Sequence, residues 1–284
     1  MLWVNGERVA ADARHISALD RGFTMADGLF ETMLARRGTI FRAARHLERL
    51  HDGARILRIA PPAHTERWLG EAVRIAAMDL DDAAVRLTLS RGVGAPGLAP
   101  SAGSTPTVAI AVHPLPTFPA SLYEHGLSAL TATARRNERG ATAGVKSLAY
   151  TEAIIALAQA HGAGADEAIF LDTEGHVSEA SASNIFLCEE GTLITPALSC
   201  GSLPGITRAA VMELAPALGL AVEERAVAPR ELTVASEAFL TSSLRGIAPL
   251  VRIDRHAVGR GTVGPVTTRV MRAYAELVER ECTA

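Results

Sequence analysis

Of the 28 basic side chains in this 284-residue sequence, a single one is a lysine, Lys146, in the stretch Gly144-Val-Lys146-Ser-Leu-Ala-Tyr150. Wherever a plain positive charge serves, the chain uses arginine, so Lys146 marks a position where arginine would not serve. A guanidinium stays protonated, whereas a desolvated ammonium can lose its proton and become a nucleophilic amine. Covalent catalysis through a Schiff base needs such an amine, for a carbonyl substrate or for pyridoxal phosphate. A surviving surface lysine is the plain alternative. The flanks favour chemistry: residues 129–134 read as a strand and 151–160 as a helix, and reactive groups tend to sit at strand-to-helix junctions.

Three further stretches could serve such an amine. Glu179 lies in Ser178-Glu179-Ala-Ser-Ala-Ser183-Asn184, where small neighbours leave room for a flat ligand beside the carboxylate. A solvated loop acid is the competing reading. Leu203-Pro-Gly205-Ile206-Thr207-Arg208 opens a helix expected to run to about Leu218. Its first backbone N–H groups lack helical partners, and the macrodipole there favours an anion. A capped helix that binds nothing would look the same. Thr241-Ser242-Ser243-Leu-Arg245-Gly246 is a hydroxyl-rich turn after a strand at 237–240, suited to phosphate or carboxylate, as many turns are. Pyridoxal phosphate requires an amine for its aldehyde, an acid at its ring nitrogen and a nest for its phosphate. Lys146, Glu179, Ile206-Thr207 and Ser243 supply these in order.

The elements that must position them follow from local pattern. Asn5-Gly6 and Arg37-Gly38 each read as the tight turn of a hairpin. Residues 42–59 carry Leu47, Leu50, Ala54 and Leu57 on one helical stripe, and 65–78 read as a second helix capped by Thr65. Residues 85–90 and 107–113 read as strands. Between them Gly92-Val-Gly94-Ala-Pro96-Gly97 matches a dinucleotide fingerprint formally, but Pro96 and the following Pro/Ser/Gly run cannot open the helix that would hold a pyrophosphate, so it reads as a loop. Residues 113–119, with three prolines, form a stiff extended connector. Residues 269–279 make a last amphipathic helix.

Composition narrows the class. At 48% hydrophobic, 21% charged and a net charge of −3, the chain reads as a soluble globular protein with no electrostatic case for nucleic acid or an acidic membrane. Cys188, Cys200 and Cys282 show no CxxC spacing and an odd count, which points to free thiols in a reducing cytoplasm. The beginning of the chain does not read as a signal peptide, and no apolar run suits a membrane span. The nine histidines include no HExxH pair, so no metal site is expected.

The same residues resemble the fold-type IV pyridoxal phosphate enzymes, or class IV aminotransferases, which include branched-chain and D-amino-acid aminotransferases and aminodeoxychorismate lyases. The likeness runs from Asp20-Arg-Gly to Gly264-Pro-Val-Thr-Thr-Arg269. It rests on Asp27-Gly28-Leu-Phe30-Glu31-Thr32, His46-Leu-Glu-Arg49-Leu50, Lys146-Ser-Leu, Ser178-Glu179-Ala-Ser-Ala-Ser-Asn184, Leu203-Pro-Gly-Ile-Thr-Arg208 and Thr241-Ser-Ser. The resemblance implies an α+β protein of two domains: a small N-terminal domain over 1–115, a proline-containing connector over 116–125, and a larger domain over 126–284 with a barrel-like sheet. It implies pyridoxal 5′-phosphate between them and a homodimer. It further implies Lys146 as the Schiff-base lysine and Glu179 at the ring nitrogen. Arg49, Ile206, Thr207 and Ser243 are implied at the phosphate, Leu203 against the ring and Tyr150 near the ring hydroxyl. Phe23, Phe30, Ser242 and Arg245 are the candidate substrate residues.

Lysine, acid and phosphate nest are common to transamination and to the pyruvate-releasing lyase that makes 4-aminobenzoate. The pocket decides between them, and its signals are mixed. The arginine-bearing loop of D-amino-acid aminotransferases is replaced here by Pro96 and Leu98. Arg136-Asn137-Glu138 and Ser243-Leu-Arg245-Gly resemble lyase members, whereas Leu203-Pro-Gly-Ile-Thr-Arg and Gly264-Pro-Val-Thr-Thr-Arg resemble branched-chain enzymes. The expected activity is transamination from an amino acid or (R)-amine to a 2-oxo acid, with D-amino acids among the donors. The lyase and a catalytically silent dimeric binding protein stand as alternatives.

Overall fold

The computed structural model describes residues 1–95, 97–100 and 103–283. The chain packs as two compact units. The first holds Met1–Pro116, Val145–Ala149 and the tail from Glu279; the second holds Thr117–Gly144 and Tyr150–Val278. Against the division expected at residues 115 and 126, the lysine segment and the C-terminal tail therefore pack with the first unit. Of the expected connector, Ala120–His125 is a short helix of the second unit.

The first unit is built on an antiparallel sheet in the order Glu7–Val9, Leu2–Val4, Thr107–Pro114, Asp82–Ser90, Gly28–Arg36, Thr39–Ile40. Asn5 and Gly6 have φ of 49° and 87°, and Arg37 and Gly38 have 48° and 82°, so both expected hairpins turn through the left-handed region. Alternation along Asp82–Ser90 sends Ala83, Val85, Leu87 and Leu89 into the core and leaves Arg86 exposed. Helices Ala43–Leu57 and Thr65–Ala76 cover that core with Leu47, Leu50, Leu69 and Val73. Thr65 is not the cap: His64 holds that position, and the Thr65 hydroxyl donates to Pro62 O at 2.7 Å.

The second unit is a mixed sheet in the order Ala221–Arg225, Thr192–Pro196, Asn184–Glu189, Glu237–Ser242, Gly246–Ile253, Leu127–Arg136, Glu167–Asp172, Val177–Ala180. It curls into a half-barrel. The Val177 N–H at one end donates to Val227 O at 2.8 Å, just past the strand at the other end. Ile169, Ile185, Leu187, Leu240 and Leu250 fill the concave interior. With a period of two, Asn184, Phe186, Phe239 and Thr241 then face the opposite side, where the two phenylalanine rings stack at 5.1 Å. Helix Ile206–Leu214 stops short of the expected Leu218, because Pro216 cannot continue it and opens a 3₁₀ turn instead. All three cysteines are free and buried, and no described helix is long and apolar enough to cross a membrane.

Candidate active site

Lys146 is held by backbone pairing to the strand Gly28–Arg36. Its carbonyl accepts from Phe30 N at 3.0 Å, and Leu148 N donates to Gly28 O at 3.0 Å. A side chain at Gly28 would collide with Leu89 O and the Leu148 side chain, so glycine there lets the lysine segment lie against the strand. Lys146 is half-buried, and its Nζ stands 4.5 Å from the centre of the Phe30 ring. Arg86 lies on the adjacent strand, opposite Thr32 and so on the same face, and places its guanidinium carbon 3.8 Å from that ring. Phe30 itself is buried. One aromatic ring thus joins the lone amine to an exposed guanidinium. Sequence reasoning passed over Arg86, since an arginine at an outward strand position looks like any solvated charge.

On the core side of the same strand lies a second cluster. Glu31, 1% exposed, accepts from Arg49 Nε at 2.8 Å and Nη2 at 2.6 Å, and from His46 Nδ1 at 2.7 Å. Burial alone would push the Glu31 carboxyl up; hydrogen bonds and charge from His46 and Arg49 outweigh it and hold the group below its ordinary value. Burial pushes His46 down, and the nearby charges of Arg49 and Lys146 add to that shift against the pull of Glu31. His46 and Arg49 come from one face of helix Ala43–Leu57, three residues apart. Glu31 and His46 stood in the sequence motifs without a role.

In the second unit, Glu179 sits on the strand Val177–Ala180. Its Oε2 accepts from Leu203 N at 2.9 Å and from Asn184 Nδ2 at 3.3 Å, and its Oε1 lies 3.2 Å from Arg136 Nη2. Asn184 Nδ2 also donates to Leu203 O at 2.8 Å, and the Ser202 hydroxyl donates to Ser178 O at 3.0 Å. Together these bonds fix the segment ahead of helix Ile206–Leu214 against the acid. That helix begins at Gly205 with no side-chain cap. A Cβ at Gly205 would overlap Asn184 Oδ1, which is why the turn takes glycine. Ile206 and Thr207 are buried at its first turn, and the Thr207 hydroxyl meets the Tyr274 hydroxyl at 3.3 Å.

Ser242 pairs with Gly246 across a three-residue turn carrying Ser243, Leu244 and Arg245. Arg245 is engaged elsewhere: its Nη2 donates to the buried Glu167 at 3.0 Å, and its carbonyl accepts from Tyr123 Oη at 3.0 Å. Four buried polar atoms have no partner among the described residues: Arg136 Nε and the hydroxyls of Ser178, Ser183 and Thr241. Thr241 lies directly across the strand pair from Asn184. Of the remaining sequence candidates, Tyr150 is the N-terminal boundary residue of helix Thr151–Gly162 and is half-buried. Phe23 is 76% exposed on the short helix Arg21–Met25. Leu98 is exposed, and Pro96 lies outside the described residues.

The first unit therefore pairs Lys146 with Phe30 and, on the core side of the same strand, Arg49 with Glu31, and the second sets Glu179 against Leu203 just ahead of the helix that starts with Ile206 and Thr207. Comparison with known proteins gives one consistent answer. The family model for amino-transferase class IV matches residues 28–253. A putative branched-chain-amino-acid aminotransferase of Methanocaldococcus jannaschii is 34% identical over 280 residues, covering 97% of this chain and 96% of that one. Among solved structures, the branched-chain amino acid aminotransferase of Escherichia coli superposes with a TM-score of 0.92 at 30% identity, over 99% of this chain and 95% of that one. The 4-amino-4-deoxychorismate lyase of Pseudomonas aeruginosa gives 0.87 at 32% identity, over 97% and 98%.

Proposed function

This chain belongs to the class IV aminotransferases, which work with pyridoxal phosphate, and we propose that within that family it moves an amino group from an amino acid to a 2-oxo acid, with Lys146 as the amine that carries the cofactor. The observation that carries this reading is the pair of cations on the Phe30 ring, an amine able to do chemistry and a guanidinium able to take a carboxylate. Arginine matches a carboxylate with two parallel hydrogen bonds, so Arg86 supplies the substrate anchor that the 92–98 loop lacks.

The donor set suits the cofactor. An aldehyde is matched by Lys146 and a basic ring nitrogen by Glu179. A phosphate is matched by Arg49, by the uncapped helix start at Ile206 and Thr207, and by the hydroxyl of Ser243. The orphaned buried hydroxyls of Ser183 and Thr241, beside and opposite Asn184, support a polar ligand on that side of the sheet. Pyridoxal phosphate, when bound, supplies an aldehyde that takes up the amino group and a protonated ring that draws electrons from the substrate Cα. Glu179 would hold the proton at that ring nitrogen, and the Leu203 N–H and Asn184 amide keep its carboxylate aimed. Lys146 Nζ would take the proton from the substrate Cα as general base. Leu203 would pack on the ring, and Tyr150 would donate to its hydroxyl oxygen. Ser242 and Phe30 line the substrate side.

Arg245 is left out of substrate binding in this reading, because a guanidinium already paired with buried Glu167 has little charge to offer. The names of the relatives make branched-chain amino acids the first donors to try. D-amino acids and (R)-amines are the competing donors, and an (R)-amine has no carboxylate for Arg86. The likeness to a 4-amino-4-deoxychorismate lyase supports pyruvate release as the second reading. Ile16, Leu19, Phe23 and Met25, exposed apolar side chains within one short stretch, support a homodimer.

One experiment separates these. Yellow, full-length protein is given 2-oxoglutarate with L-leucine, D-alanine or (R)-1-phenylethylamine, and separately 4-amino-4-deoxychorismate. The expected result is turnover with L-leucine, and a raised KM for it in Arg86→Gln. Turnover with the amine alone, or pyruvate from the chorismate derivative alone, would overturn the proposal.

A further inference from the structure

Tyr274 touches two separate pieces of the proposed phosphate cradle. It comes from the long C-terminal helix Pro265–Thr283 and is 5% exposed. Its hydroxyl meets the Thr207 hydroxyl at 3.3 Å in the first turn of helix Ile206–Leu214. The edge of its ring lies against Gly246, the residue that closes the Ser242–Gly246 turn. A Cβ at Gly246 would sit 3.2 Å from Tyr274 Cε1, and Gly246 has a φ of +66°, so the position takes glycine for both reasons. A phenylalanine would pack against the glycine equally well, because only ring carbons meet it. The hydroxyl is what remains to be explained.

We propose that Tyr274 is a positioning residue for phosphate binding, its O–H donating to Thr207 Oγ1 so that the Thr207 O–H is directed at the ligand. The inference rests on the reading of Thr207 as a phosphate ligand. A lone threonine hydroxyl on a helix can turn its proton back toward the carbonyl one turn earlier. A donor on its oxygen removes that option, and two hydroxyls in series polarise one another, strengthening the outer bond to an anion. The ring meanwhile fixes Gly246 and with it the turn bearing Ser243. One buried side chain thereby sets the spacing of two of the elements that carry the phosphate donors.

The test is equilibrium binding in a double-mutant cycle on the full chain. Wild type, Tyr274→Phe, Thr207→Val and the double variant are each titrated with pyridoxal phosphate by absorbance and with inorganic phosphate by calorimetry. Denaturation midpoints are taken alongside. Removing one hydrogen bond from a charge-directed chain should weaken both ligands about threefold to tenfold in Tyr274→Phe. The same change in the Thr207→Val background should be nearly silent, because the partner through which it acts is gone. Equal losses in both backgrounds would mean that Tyr274 acts by packing, and the proposal fails. Unchanged affinity in Tyr274→Phe with a weakened Thr207→Val rejects the positioning role and leaves the cradle standing. Unchanged affinity in Thr207→Val rejects the cradle itself, and this inference with it.

Discussion

Glu31 and Glu179 are both carboxylates next to an arginine, yet they are built for opposite purposes. Glu31 is sealed at 1% exposure, and it is held by side chains: a bidentate guanidinium and an imidazole. Glu179 keeps 13% of its side chain exposed, and beside Arg136 it accepts from the Leu203 backbone N–H and the Asn184 side-chain amide. A carboxylate closed off by side chains is an internal brace, whose value is the orientation it imposes on those partners. A carboxylate aimed by amides, with part of its surface open, is the kind that the proposed reading places against a ligand. Position relative to an arginine does not distinguish the two; the nature of the other donors does.

The comparison can be broken experimentally. The largest effect belongs to the amine: Lys146→Arg should abolish the yellow cofactor absorbance and lower turnover by about 10³-fold or more, because arginine neither condenses with the aldehyde nor acts as base. Next comes Glu179→Gln, expected to cost about a hundredfold in kcat while shifting the denaturation midpoint little. Glu31→Gln should do the reverse in kind. It removes the charge from the Arg49–Glu31 pair, whose side chains are 10% and 1% exposed, and breaking a buried pair costs about 3 kcal/mol of stability. Weakened cofactor affinity through the loosened Arg49 should accompany it. Should Glu179→Gln destabilise as much as Glu31→Gln, the division of labour between the acids is wrong.

A smaller effect lies in the pH dependence of stability. The folded Glu31 carboxyl titrates below its ordinary value of 4.5, so the unfolded chain takes up protons first as pH falls. Its stabilisation is fully present above about 4.5 and is lost as pH drops toward the lowered folded value. His46 adds to this. Its folded pKa lies below 6.5, so below that pH the unfolded chain binds a proton that the buried ring resists. Stability should therefore decline in acid in two stages, and Glu31→Gln should flatten the lower one in urea denaturation curves.

Much of the candidate site was legible because its residue types are rare in this composition. A lone lysine among arginines, an acid in a run of serine and alanine, and a Leu-Pro-Gly entry to a helix each stand out without any neighbours in space. Arg49 was legible only through resemblance. In the sequence it is one more helical arginine, and what sets it apart is Glu31, 18 residues away across the first unit. Arg86 was missed for a similar reason. Its strand alternation shows that it points outward, but nothing local shows that Phe30 and Lys146 share that face. The hydroxyl-rich turn was legible, whereas the capture of Arg245 by Glu167, 78 positions away, was not.

By itself the sequence determined the short-range features: both left-handed hairpin turns, the amphipathic helices and the alternating strands, because each depends on φ preference or periodicity within a few residues. It also marked an amine, an acid and a helix start without a side-chain cap. Tertiary structure decided which residues they serve with. It packs Val145–Ala149 with the first unit through backbone pairing to Gly28–Arg36, and it closes Glu31 on His46 and Arg49. It also sets Tyr274 against Thr207. These are contacts between elements far apart along the chain, formed where burial makes an unpaired polar group costly, and no local pattern encodes them.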